Sequence, residues 1–570
     1  MSKQVAEIIV NTLEAAGVKH CYGIVGDTLN VIAGHIAKSS IRWMHMRHEE
    51  AGAFAAQGEA GLTGELTAVA GTCGPGSLHF INGLYEASRN RVPVLLIATQ
   101  VVTSEIGFNF IQEVDFKAVY DDLSVFCDVI TSPEQALRKT VLACQTAIAK
   151  RGVAVLIVPV DIAMAHPKDQ TPFKVHFPKP VIRPSDDELD RMAEILNAGE
   201  KIAIYGGAGC QAGRDQVLAI ADLLQAPIAH TSRGKDFLEW DNPHNIGMTG
   251  MLGNEAGYQA VLECDTLLLL GCDFAWRQFY PGRARIVQVD LEATHLGMRH
   301  PVELGVVGDI KATLEALKPR LSPRGPSEFH DAAIRHHTKA IDAWEAHIAP
   351  RRHDSIPGKY LGQLIGKHAD DDALFSADDG TPAVWMLRHI PANGKRRTFG
   401  SLLHGSMGGG LATGLGLQAA APGRQVVCLC GDGGLAMGFA DIFTTIQEDL
   451  PVKIAVFDNG KLGFVEIEQK TEGMLNTYTD LINPDFGAVA KAAGLWGATV
   501  DKAEDLEAAI IAWLAHPGPA LLNVKVNPQE LVMPPFVAAE PAVGMALYMT
   551  KAVLHGRGRD LVDLAEQNLP

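Results

Sequence analysis

QVVCLCGDGGLAMG at residues 425–438 and VKIAVFDNGKLGFVEIE at 452–468 decide the fold. Each opens with a near-continuous apolar run of strand length, the pattern of a strand buried on both faces of a parallel sheet. Each run stops at glycine beside an oxygen-bearing side chain. Open α/β sheets bind ligands at the carboxyl ends of their strands, where loop glycines leave backbone N–H groups free to meet anions. A diphosphate suits that place, joined to the protein by Mg2+, which takes one or two protein oxygens and fills its octahedron with phosphate and water. Asp432 and the side-chain oxygen of Asn459 supply those ligands, with a backbone carbonyl near Lys461 as a third. Gly433 and Gly434 after the first run, and Gly460, Leu462, Gly463, Phe464 and Val465 after the second, are the further candidates for cofactor contact.

The same grammar repeats along the chain. Apolar runs bounded by Gly or Pro lie at 66–71, 92–99, 153–161, 201–207, 266–271, 285–290 and 519–526, and amphipathic stretches such as 187–199 separate them. This alternation predicts an α/β chain of doubly wound parallel sheets. At 570 residues it needs several domains. Proline-rich HFPKPVIRPSDDE (176–188), polar SPRGPSEFHDAAIRHHTK (322–339) and the pair Pro534 and Pro535 mark the breaks. The expected parts are an N-terminal domain at 1–180, a central domain at 181–335, a third domain at 336–530 and a C-terminal tail at 531–570.

A composition of 47% hydrophobic and 20% charged residues excludes disorder and coiled coil. A net charge of −17 argues against nucleic acid as a partner. Nine scattered cysteines without zinc spacing predict a reducing, cytoplasmic setting and no structural metal. The first residues carry Glu7, Asn11 and Glu14 where an export signal needs an unbroken apolar stretch. No apolar run approaches the roughly 18 residues of a membrane-spanning helix.

The pairing of GDG with Asn459 resembles the signature of the thiamine-diphosphate-dependent enzymes, in which GDG is followed at a set distance by two asparagines. Asp458 stands in place of the first asparagine here. RHEEAGAFAAQGEA (47–60) is similar to the family element whose carboxylate acts on the thiamine aminopyrimidine, and the resemblance puts Glu49 in that role. Within GSLLHGSMGGGLATGLG (400–416), Met407 matches the apolar residue under the bent cofactor, and Gly405 and Ser406 are implied as neighbours of the diphosphate. GTCGPGSLHFINGL (71–84) is similar to the family's GPG turn and implies a part in pocket shape.

The middle of the chain narrows the resemblance to one branch. YGGAG (205–209), GMTGMLG (247–253), GCDFAWRQF (271–279), VQVD (287–290) and VVGDI (306–310) resemble the FAD-binding central domain of pyruvate oxidases. That likeness implies FAD contacts from Gly250, Met251, Leu252, Gly253, Asp273, Phe274, Ala275 and Trp276, with Arg277 meeting the diphosphate and Asp290 or Asp309 the ribose or adenine. RNRVPVL (89–95), DNPHNIGMTG (241–250), NGKRR (393–397), LGFVEIE (462–468) and ALYMTKAVLHGRGRDLVDLAEQN (546–568) extend it to the ubiquinone-dependent pyruvate dehydrogenases of that branch. Ile111 in NFIQE departs from a phenylalanine usual there.

The resemblance implies oxidative decarboxylation of pyruvate to acetate, with electrons passed through FAD to ubiquinone, in a homotetramer at the inner face of the cell membrane. Glu49 and Phe464 are the implied catalytic residues. Acetolactate synthase and an oxygen-using pyruvate oxidase are the alternatives within the family. A cofactor-free regulatory descendant should have lost Glu49 or Asp432, and both are present. In the tail, Val543, Met545, Ala546, Leu547, Met549, Val553 and Leu554 form an apolar band at helical spacing, HGRGR interrupts it, and Leu561, Leu564, Ala565 and Leu569 resume it. The expected role of this band is to dock over the active site at rest and to lie on a lipid bilayer once the flavin is reduced. Basic and acidic residues balance in the tail, so apolar insertion must carry the binding.

Overall fold

Val94–Gln100 and Val153–Pro159 are buried at every residue, and both are interior strands of the first of three parallel sheets in the computed structural model of the chain. The structure describes residues 3–168, 174–350, 355–532 and 539–555, together with 561, 562, 564, 565 and 568. The first sheet contains β1 (His20–Gly23), β2 (Arg42–His45), β3 (Thr67–Gly71), β4 (Val94–Gln100), β5 (Ser124–Val129) and β6 (Val153–Pro159), in the order β2-β1-β3-β4-β6-β5. The second contains β7 (Ile202–Gly206), β8 (Ile228–His230), β9 (Asn245–Met248), β10 (Thr266–Leu270), β11 (Arg285–Asp290) and β12 (Leu304–Val307), in the order β12-β11-β10-β7-β8-β9. The third contains β13 (Leu374–Ala377), β14 (Arg397–Gly400), β15 (Val426–Gly431), β16 (Lys453–Asp458), β17 (Trp496–Val500) and β18 (Ala520–Lys525), in the order β14-β13-β15-β16-β18-β17.

Counted from its own first strand, the third sheet repeats the order of the first. The second instead has the order of dinucleotide-binding sheets, reversing direction between β7 and β10. The three α/β domains are those expected. Every apolar run read from the sequence is an interior strand, whereas the edge strands β5, β14 and β17 are only partly buried and show no such run.

One expected boundary is wrong. A break at 335 would cut the helix Glu328–Ala346, which packs on the helix Glu255–Glu263 and on β9 and so belongs to the central domain. Only a narrow stripe, including His330 and Ala333, is buried, and the polar remainder reads as a linker. The break between 180 and 181 falls in extended chain ahead of the helix Asp186–Ala198, which starts at a Ser185–Glu188 capping box.

The first and third domains share an apolar core in which Phe54 and Ala55 join Leu411 and Leu415. Small residues make this possible. A Cβ on Gly416 would overlap the Ala55 carbonyl oxygen, and one on Gly58 would stand 2.7 Å from that of Thr413. The alanine- and glycine-rich helices Glu49–Thr63 and Gly409–Ala420 thus approach at backbone distance.

The tail helix Ala539–Leu554 lies against the helix Gly463–Thr471. Its docked face is Gly544, Tyr548 and Ala552, with Gly544 seated on the Thr471 carbonyl and Lys551 Nζ donating to the Gly473 carbonyl at 2.7 Å. The expected apolar band faces the other way: Val543, Ala546, Leu547, Met549, Val553 and Leu554 are exposed, while Met545 is partly buried. Pro534, Pro535, most of HGRGR and Leu569 lie outside the described residues; Leu564 is buried. Among the described residues no helix is long and apolar enough to cross a membrane.

Candidate active site

β15 ends at Gly431 and the chain turns into the short helix Asp432–Met437, leaving the Asp432 carboxylate buried at the strand end. Its Oδ1 accepts from Gly433 N at 2.9 Å, and its Oδ2 from Gly460 N at 2.8 Å and Asn483 Nδ2 at 2.7 Å. Gly460 has φ 67°, a conformation that favours glycine and turns its N–H back toward Asp432. Asn459 Oδ1 accepts from Lys461 N at 2.9 Å, closing the loop after β16. Burial pushes Asp432 above the ordinary carboxylate range against the pull of its N–H donors, and the Asp458 charge adds to the rise.

A cation would relieve that cost. One carboxylate, one amide oxygen and the loop carbonyl of Lys461 are the hard oxygen donors that Mg2+ takes. The face also has room, since a Cβ on Gly431 would find its nearest neighbours at 3.9 and 4.0 Å. The residues therefore fit a metal-held diphosphate. Met407 and Leu462 belong to the same surface, each with a side-chain carbon 3.2 Å from where a Cβ on Gly433 would stand. Gly463 lies against Asn459, and a Cβ on Gly405 would stand 3.7 Å from Asp379. Phe464 is partly buried against the third-domain core and Val465 is exposed. The Lys461 side chain points away to Glu466 at 2.7 Å and Asp480 at 2.8 Å, leaving its carbonyl as the candidate ligand.

The sequence reading missed Asp378. It follows β13, accepts from Gly410 N at 2.7 Å and Gly431 N at 3.2 Å, and touches the position where Gly434 lacks a side chain. Burial raises it to about 6. It ties three ligand-facing loops together, and ADDG after ALFS (373–376) has the same strand-end form as GDG.

From the first domain, Glu49 opens the helix Glu49–Thr63 and is buried. His48 caps that helix, its Nδ1 accepting from Glu50 N at 3.2 Å. Glu49 Oε2 lies 2.9 Å from His79 Nδ1, and the His48 and His79 rings stack at 4.7 Å. Asn82 Nδ2 donates to Glu50 Oε1 at 2.6 Å and to Ser406 Oγ at 3.0 Å, joining the Glu49–Glu50 pair to the Gly405–Met407 loop. His79 and Asn82 belong to the GPG segment, so that segment contacts both carboxylates. Ile111 is exposed on a loop with Phe108 and Phe110.

A cavity of about 490 Å³ opens at the switch point of the central sheet, where the three domains meet; from the central domain it is lined by Gly207, Gly209, Gly271, Asp273, Phe274, Ala275, Trp276, Asp290 and Asp309. A Cβ on Gly207 would overlap the Gly271 carbonyl, so only glycine lets the loops after β7 and β10 meet. Of the basic residues on its wall, Arg91 from the first domain and Arg233 escaped the sequence reading. Arg91 reaches Asp273 at 2.6 Å and Arg299 reaches it at 2.8 Å. Burial would raise Asp273, but the two guanidinium groups outweigh it and hold the carboxylate below its usual range. Burial lowers Arg233 to about 10. Asp290 pairs with His295 at 3.1 Å, and Asp309 accepts from Ile182 N at 2.6 Å.

Glycine loops and arginines on a dinucleotide-type sheet fit a flavin dinucleotide. Two groups of the expected flavin contacts stand off this wall. Arg277 is exposed on the turn Arg277–Phe279 and does not line the cavity. Gly250, Met251, Leu252 and Gly253, which follow the edge strand β9, also lie off its wall. Met251 is exposed there, and the Leu252 carbonyl accepts from Arg388 Nε at 2.9 Å.

Comparison with known proteins covers all three sheets. Family models match residues 3–119 as the thiamine pyrophosphate enzyme N-terminal TPP binding domain, 189–317 as its central domain and 378–524 as its C-terminal TPP binding domain. The Bacillus subtilis protein YdaP is 31% identical over 96% of both chains. Pyruvate oxidase of Lactiplantibacillus plantarum is 28% identical over 87% of this chain and 84% of its own. The large subunit of acetolactate synthase isozyme 2 from Escherichia coli is 29% identical over 93% and 96%. Consecutive domains of one family, matched in order over sheets whose strand ends carry its metal motif, mean that the chain belongs to the thiamine-diphosphate-dependent enzymes.

Proposed function

We propose that this enzyme converts pyruvate and water to acetate and CO2, passing two electrons and two protons through FAD to ubiquinone. The observation that carries the reading is the central cavity, whose wall joins the glycine loops, Arg91 and Arg233 to Arg397–Leu403 of the third domain, just before the Gly405–Met407 loop. Bound thiamine diphosphate supplies a carbon that adds to a 2-oxo acid and takes up the electron pair left as CO2 departs. Glu49 holds a proton at the aminopyrimidine ring nitrogen, and His79 orients the carboxylate. Asp432, Asn459 and the Lys461 carbonyl hold Mg2+, while Met407 and Leu462 give the site an apolar wall.

The proposed assembly is a homotetramer at the inner face of the cell membrane. The exposed apolar face of the tail helix supports contact with a lipid bilayer. The Escherichia coli relative favours a second reading, acetolactate formation, and the Lactiplantibacillus relative a third, oxygen as acceptor. Anaerobic addition of a panel of 2-oxo acids separates them. Pyruvate should bleach the flavin, and a soluble quinone should reoxidise it faster than air. Acetolactate accumulating over an oxidised flavin refutes the proposal, and faster reoxidation by air assigns the acceptor to oxygen.

A further inference from the structure

Asp458 ends β16 one residue before Asn459, buried and close enough to Asp432 to share a donor with it. A second carboxylate there opposes an incoming diphosphate. Its surroundings cancel the charge. Asp458 Oδ2 is hydrogen-bonded and ion-paired to Lys525 Nζ, its register partner on β18. Asp458 Oδ1 accepts from Asn483 Nδ2 at 3.0 Å, and the same nitrogen donates to Asp432 Oδ2 at 2.7 Å. A single amide thus spans the metal-ligand carboxylate and the additional one, using one hydrogen for each.

We propose that Asp458, Lys525 and Asn483 are positioning residues for the metal site. Lys525 neutralises Asp458, Asp458 anchors Asn483, and Asn483 fixes the rotation of the Asp432 carboxylate. An ion pair between adjacent strands here does the work of a neutral amide. The proposal rests on the thiamine-diphosphate reading and adds residues outside the Asp432–Asn459 motif.

The test measures binding, with no turnover required. Full-length protein freed of cofactors is titrated with thiamine diphosphate at fixed Mg2+, following tryptophan fluorescence, and its thermal midpoint without ligand is recorded. Lys525→Met leaves an uncompensated negative charge beside the diphosphate and should weaken binding about tenfold, or about 1.4 kcal/mol. Lys525→Arg should stay within about threefold of wild type, and so should Lys525→Met combined with Asp458→Asn, because charge balance is restored in each. Wild-type affinity in Lys525→Met, or a double variant as weak as Lys525→Met, overturns the proposal. So does a lower thermal midpoint with unchanged affinity, the signature of a purely structural pair. Should Lys525→Met not fold, weak binding by Lys525→Arg or by the double variant is decisive against it. Wild-type protein that binds no thiamine diphosphate would instead overturn the thiamine reading itself.

Discussion

The second and third sheets both present glycine-rich loops at the carboxyl ends of parallel strands, yet arginines join the carboxylates beside those loops only at the second. On the third sheet the buried groups are carboxylates, Asp378, Asp432 and Asp458. Beside the second, Arg233 and, from the first domain, Arg91 stand on the cavity wall, and Asp273 is clamped by Arg91 and Arg299. Backbone geometry is therefore shared, and charge decides what each face can hold. A carboxylate face needs a metal ion before it can receive a diphosphate, whereas an arginine face receives one directly. EDTA should accordingly strip thiamine diphosphate and leave the flavin in place.

The largest expected effect falls on neither face. Glu49→Gln should lower turnover by about 100-fold or more while both cofactors stay bound, because the carboxylate acts on protonation and contributes little to holding the ligand. A variant keeping more than about a tenth of the wild-type rate, a barrier change below about 1.4 kcal/mol, removes Glu49 from that role.

The direct challenge to the comparison is a reciprocal pair. Asp432→Ala should weaken magnesium-dependent thiamine diphosphate binding by about tenfold or more and spare flavin content. Arg233→Met should do the reverse, lowering flavin retention about tenfold. If either variant loses both cofactors equally, the two faces are not independent and the contrast fails.

A smaller effect is expected at the tail. Val553→Asp with Leu554→Asp alters the exposed face and leaves the docked residues Gly544, Tyr548 and Ala552 untouched. Turnover with a soluble dye should be unchanged, and flotation with vesicles in the presence of pyruvate should be lost. Flotation equal to wild type would remove the bilayer from the list of partners.

The smallest effect separates buried carboxylates as such from ligand binding. Glu530 accepts from Gly358 N at 2.6 Å, and burial raises it to about 7. A carboxyl raised in the folded state favours folding when protonated. Its contribution is complete below the unfolded value near 4.5 and is lost as pH rises through about 7. Glu530→Gln should therefore flatten the fall in thermal midpoint between about pH 4.5 and 7, by a few degrees. An unchanged slope would assign the pH dependence to other groups.

Much of this organisation is legible without coordinates. β4, β6, β10 and β15 announce themselves because interior strands of parallel sheets are buried on both faces and carry unbroken apolar runs. The edge strand β5 is partly buried throughout and lacks that signal. β8 is interior but only three residues long, too short to stand out. At the site, Asp432, Asn459 and Met407 converge as their motifs implied. Arg277 does not: a cation beside a glycine motif reads as a diphosphate ligand whichever way its side chain points.

The sequence by itself determined the α/β class, the three domains, the family and the placing of Asp432 and Asn459 at neighbouring strand ends. These depend on local properties, namely burial pattern along a strand and the chemistry of the residues at its end. Tertiary structure alone decided that Arg91 and Arg233 face the central cavity, that Asn82 joins Glu50 to Ser406, that Lys525 balances Asp458, and that the tail docks through Gly544, Tyr548 and Ala552. Each of these is a meeting of residues far apart in the chain. Strand register and the close approach of small-residue helices choose the neighbours there, and neither is written in any one segment.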